Sequence, residues 1–79
     1  MLPLEDVKHE ALAAAEVYGP PASAAESYGV LIREVTELGE AQHQRDMGAI
    51  YREAIQVSAV ALRMAEWAYD HRDDDHPRI

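Results

Sequence analysis

The chain has 79 residues, enough for one small domain that buries only about 60% of its unfolded surface. It has no cysteine, so no disulfide reinforces that small core, and this fits a reducing compartment. Fifteen Asp+Glu against seven Lys+Arg give a net charge of −8, which argues against a nucleic-acid polymer as partner, because tracking a phosphate backbone needs a basic face.

The first ten residues, MLPLEDVKHE, are partly acidic and lack the apolar stretch of a signal peptide. No later run approaches the roughly 20 apolar residues of a membrane span, so a soluble, cytoplasmic protein is expected, with no membrane partner. Leu4 to Val17 carries an alanine-rich helical pattern, with Pro3 suited to its first turn. Gly19–Pro20–Pro21 ends that helix, since proline cannot continue it. Ser23–Ala24–Ala25–Glu26 has the form of a capping box and opens a second helix. Its apolar stripe is Tyr28, Leu31, Ile32, Val35 and Leu38, and Glu26, Glu34, Glu37 and Glu40 cover much of the other side. The pattern breaks near Arg45–Asp46, with a weaker mark at Gly48.

A third helix, from about Met47 to Tyr69, is apolar around most of its circumference. Ile50, Ala54, Val57, Ala61, Met64 and Ala68 form one stripe; Tyr51, Ile55, Leu62 and Tyr69 form a second. Glu53, Val60 and Trp67 form a third line, which leaves Arg52, Gln56, Arg63 and Asp70 as a narrow polar strip. A helix apolar on most sides is buried on most sides. The expected architecture is therefore all-α: a short N-terminal helix, then a long antiparallel helical hairpin, with a four-helix core completed by oligomerisation. One domain spans the chain, and the charged segment from His71 to Ile79 reads as a flexible tail.

The spacing of four polar residues carries the chemistry. Glu34 and Glu37, like Glu53 and Gln56, are three apart and so share a helix face. Positions 37 and 53 are equally far from 45, as are 34 and 56. A hairpin turning at Arg45 brings all four side chains to one level. Three like charges that close repel unless a cation or a raised pKa relieves them, and carboxylates with an amide oxygen suit Mg²⁺. Glutamates spaced along a helix are ordinarily a solvated face, but Glu53 lies within the most apolar segment, where an ionised carboxylate needs a partner. Two partners stand open: a metal ion, or an ion pair with Arg33, Arg52 or Arg63. His9 and His43 read as surface residues, and Trp67 as core or interface. The His71–His76 tail is a weaker metal candidate, because ordering it costs entropy.

The run Ser23–Ala–Ala–Glu26–Ser–Tyr28–Gly–Val30–Leu–Ile–Arg–Glu34–Val–Thr–Glu37–Leu38, followed by Glu53–Ala–Ile–Gln56–Val–Ser–Ala59–Val–Ala61–Leu62–Arg63, resembles the MazG-like all-α nucleotide pyrophosphohydrolases, especially their short, phage-type members. The likeness covers residues 23–69. That superfamily's motif is ExxE, a spacer, then ExxD; Glu34, Glu37 and Glu53 match its glutamates, and Gln56 stands where the aspartate is expected. The resemblance implies Mg²⁺- or Mn²⁺-dependent cleavage of a nucleoside triphosphate to monophosphate and pyrophosphate. It makes Glu34, Glu37 and Glu53 catalytic metal ligands, and Gln56 an auxiliary one. It also implies a homodimer or homotetramer with the site at an interface. Arg33, Arg52, Arg63 and Lys8 are the candidate phosphate contacts. The other reading is a catalytically silent relative that serves as an oligomerisation or partner-binding module, which the Asp-to-Gln exchange favours.

Overall fold

The computed structural model describes residues 2–74. The chain is all-α there: α1 (Pro3–Tyr18), α2 (Ala24–Gln44) and α3 (Met47–His71), followed by a 3₁₀ turn over Arg72–Asp74. Among the described residues there is no strand, and no helix is long and apolar enough to cross a membrane.

Each helix end has a local cause. Pro3 occupies the first turn of α1, where its missing N–H costs nothing, and the Glu5 carboxylate reaches back to the Leu2 N–H at 3.3 Å. Gly19 closes α1 at a φ of 70°, which its lack of a side chain permits, and its N–H bonds the Ala15 carbonyl at 2.9 Å. Ser23 Oγ accepts the Glu26 N–H at 3.0 Å, one half of the expected capping box. The other half is displaced by one residue, since Glu26 Oε1 accepts from the Ala22 N–H at 3.3 Å. Arg45 turns the chain in the left-handed region, with φ 58° and ψ 32°. Asp46 then caps α3 by accepting the Ala49 N–H at 3.1 Å. Gly48 is no break; it lies within the first turn of α3.

Regular structure continues into the charged segment that the sequence marks as a tail. His71 still belongs to α3: its ring stacks on Trp67 with centroids 4.6 Å apart, and its Nδ1 lies 2.8 Å from the Trp67 carbonyl oxygen. The Arg72 guanidinium sits 3.8 Å above the centre of the Tyr69 ring. The remainder of the expected tail, 75–79, lies outside the described residues.

Among the described residues, α1 and α2 each pack on α3 and not on one another. Polar contacts tie α1 to α3 in rising order: Asp6 with Tyr51, Glu10 with Gln56, and Gly19 with Arg63. These two helices therefore run in the same direction. On α2 the side facing α3 is Ser27, Leu31, Glu34, Leu38 and Ala41, in alternating steps of four and three. Ser27 and Ala41 are buried, and the other three are half-buried. This seam is narrower than the expected stripe, so Tyr28, Ile32 and Val35 remain 59%, 46% and 46% exposed. On α3, Ala49, Glu53, Gln56, Val60, Arg63 and Trp67 form a half-buried seam of the same rhythm. Gln56 and Arg63 thus leave the expected polar strip and turn towards α1. Among the described residues only Ala11, Ala41 and Ala59 are buried apolar residues, so small side chains make up the core.

Candidate functional site

Glu34 holds a seam position of α2 between buried Ser27 and buried Ala41, so the packing that makes the helix pair also pushes this carboxylate towards α3. Glu37 follows one turn later and is exposed, while Glu53 approaches half-buried from α3. One carboxylate oxygen from each of the three lies within 4.8 Å of the others. Position 34 is governed by desolvation first: burial raises the pKa of its carboxyl. The neighbouring Glu37, by charge and hydrogen bond, and then the charge of Glu53, push it the same way; Arg33 pulls weakly against them.

Glu53 Oε2 is buried and has no hydrogen-bond partner among the described residues. The guanidinium of Arg63, one of the ion-pair partners weighed for it, instead donates to the carbonyl of Gly19 at the end of α1. Arg52 is exposed and reaches back over Gly48. A buried acceptor without a donor costs about 1–3 kcal/mol. Two further carboxylates stand beside that of Glu53, so a cation held there would offset like charges.

Gln56 lies one turn beyond Glu53 on α3. Its Nε2 donates to Glu10 Oε1 at 2.8 Å, in a partly buried contact with α1. Glu10 is not among the site residues expected from the sequence, where Lys8 is the one residue of α1 given a functional role. The only signal was the four-residue spacing of Asp6 and Glu10 on an otherwise alanine-rich helix, which aligns both with α3.

Because α1 and α2 both rest on α3 without meeting, a cleft of about 380 Å³ opens between them. Glu34, Gln56 and Glu10 line it, together with Arg33, Arg63 and Tyr18. This volume falls within the roughly 300–1,000 Å³ typical of small-ligand clefts. Of the four candidate phosphate contacts, Arg33 and Arg63 line the cleft, whereas Arg52 and Lys8 are exposed outside its lining. His9 and His43 are exposed, as surface residues should be. No family model, no curated protein and no solved structure matches the chain.

Proposed function

We infer that the protein is a cytoplasmic, MazG-like nucleotide pyrophosphohydrolase that releases pyrophosphate from a nucleoside triphosphate. In this reading Glu34, Glu37 and Glu53 hold Mg²⁺ or Mn²⁺, and Gln56 lends an amide oxygen. The observation that carries the reading is the buried Glu53 Oε2, without a partner among the described residues, on a carboxylate that has an oxygen within 4.8 Å of one from Glu34 and one from Glu37. The donor set fits the ion, since hard divalent cations take carboxylate and amide oxygens. When bound, such an ion neutralises phosphate charge and lowers the pKa of a coordinated water. The chain's own residues divide the remaining work. Glu34 and Glu53 stay anchored in helix seams, exposed Glu37 faces the solvent side, and Arg33 and Arg63 offer positive charge to phosphate oxygens along the cleft.

The hairpin and the self-association belong to the same reading. Only Arg45 and Asp46 separate α2 from α3, and Glu34 and Glu37 meet Glu53 across them, which supports an antiparallel pair. The exposed Tyr28, Ile32 and Val35 support a second copy that completes a four-helix core. That same face favours the alternative of a catalytically silent interaction module. Pyrophosphate release separates the two. With Mg²⁺ or Mn²⁺, a panel of ribo- and deoxyribonucleoside triphosphates is expected to yield pyrophosphate from at least one member, and Glu37→Gln, nearly identical in shape, is expected to abolish it. No release from any triphosphate leaves the silent module, and full activity in Glu37→Gln makes this cluster an ordinary helix face.

A further inference from the structure

Glu10 touches the one side chain of the centre whose orientation decides what it offers. A carboxylate only accepts hydrogen bonds, so Gln56 must turn its NH₂ towards Glu10, as the 2.8 Å contact records. Its carbonyl oxygen, carried on the same carbon, then points away from Glu10. Gln56 is one turn from Glu53, and Glu10, Gln56 and Glu34 line the same cleft.

We propose that Glu10 is a positioning residue for the cation centre: by holding the amide through its NH₂, it presents the Gln56 carbonyl oxygen as a fourth ligand. The proposal rests on the cation-site reading above. Glutamine alone is ambiguous at such a centre, because its two ends are nearly equal in shape and opposite in polarity; the NH₂ end would repel a cation. Glu10 removes that ambiguity. Its charge also polarises the amide and strengthens the oxygen at the far end. The first helix, which supplies no direct ligand, becomes part of the centre through this one contact.

The test is Mn²⁺ binding by titration calorimetry on the full chain, in four proteins: the parent, Glu10→Gln, Gln56→Ala and the double variant. A glutamine at position 10 can donate or accept, so it no longer dictates which end of Gln56 faces the ion. Glu10→Gln is expected to weaken Mn²⁺ binding about tenfold in the parent, as for other outer partners of metal ligands. In the Gln56→Ala background, where nothing remains to be oriented, the same substitution is expected to cost less than about twofold. Equal weakening in both backgrounds means that Glu10 acts only through its charge, and overturns the proposal. So does unchanged affinity in Glu10→Gln. A second variant, Glu10→Gln/Gln56→Glu, keeps the net charge and the contact between α1 and α3 while exchanging donor and acceptor. It is expected to bind Mn²⁺ at least as tightly as the parent; affinity as low as that of Glu10→Gln overturns the proposal even if the single variant folds poorly. A parent that binds no Mn²⁺ fails the cation-site reading itself, an outcome distinct from intact binding without coupling.

Discussion

Glu34 ties the stability of the protein to its candidate chemistry. Its carboxyl is raised by burial, then by Glu37 and Glu53, so the folded state holds that proton more tightly than the unfolded chain does. A folded-state pKa above the unfolded one gives stability that is complete below the unfolded value and is lost as pH rises through the folded value. Without divalent ions, the melting temperature is therefore expected to fall as pH climbs from about 4.3, the ordinary glutamate value, towards neutrality. Thermal melts of the parent and Glu34→Gln across that range check this, since Glu34→Gln should flatten the decline. Added Mg²⁺ competes with the proton, so its stabilising effect should grow over the same window. A parent that melts identically with and without millimolar Mg²⁺ at pH 7 would sink the cation reading. Glu34, Glu37 and Glu53 were legible beforehand because their spacing about position 45 depends only on helix periodicity and a turn. Glu10 was not, because its role depends on α1 lying alongside α3 in parallel register, which no local pattern encodes.

At the level of the helices, ends were far easier to read than faces. Gly19–Pro20–Pro21, Ser23 and Arg45–Asp46 act through the backbone within a few residues of themselves, and the observed boundaries fall within about two residues of the expected ones. Faces depend on what lies opposite. The expected α2 stripe includes Tyr28, Ile32 and Val35, but the buried positions of α2, Ser27 and Ala41, lie on the seam and these three stay exposed. Conversely, Gln56 and Arg63, expected in a narrow polar strip of α3, are half-buried against polar partners at α1. The link between α2 and α3 is short enough to test with one substitution. Asp46→Ala removes the side-chain acceptor for the Ala49 N–H and is expected to cost about 1 kcal/mol, the usual loss at an N-cap. Urea unfolding should show a lower midpoint with an unchanged slope. A larger loss together with weaker cation binding would indicate that the turn also sets the register between Glu34 and Glu53.

For the whole molecule, the difficulty is that three helices of this length enclose very little. Among the described residues no large side chain is fully buried, and the buried apolar residues are all alanines. A domain this small has little surplus of hydrophobic burial over conformational entropy, so association is the simplest remaining source of stability. Tyr28, Ile32 and Val35 follow one another along α2 at steps of four and three, which aligns them as an exposed stripe about 100° round the helix from the seam. Exposed apolar stripes of this kind mark contact surfaces more often than free ones. The protein is therefore expected to sediment at twice 8.8 kDa or more at micromolar concentration. Ile32→Glu places a charge in the middle of the stripe, and it should shift the species towards the monomer and lower the melting temperature. In the parent that temperature should rise with protein concentration, because dissociation and unfolding are then linked. A monodisperse 8.8 kDa parent, melting at the same temperature across a hundredfold range of concentration, would remove the second copy from the architecture. The cluster of Glu34, Glu37 and Glu53 would survive that result, since they converge within a single chain; what would be lost is a subunit interface as the setting of the proposed reaction.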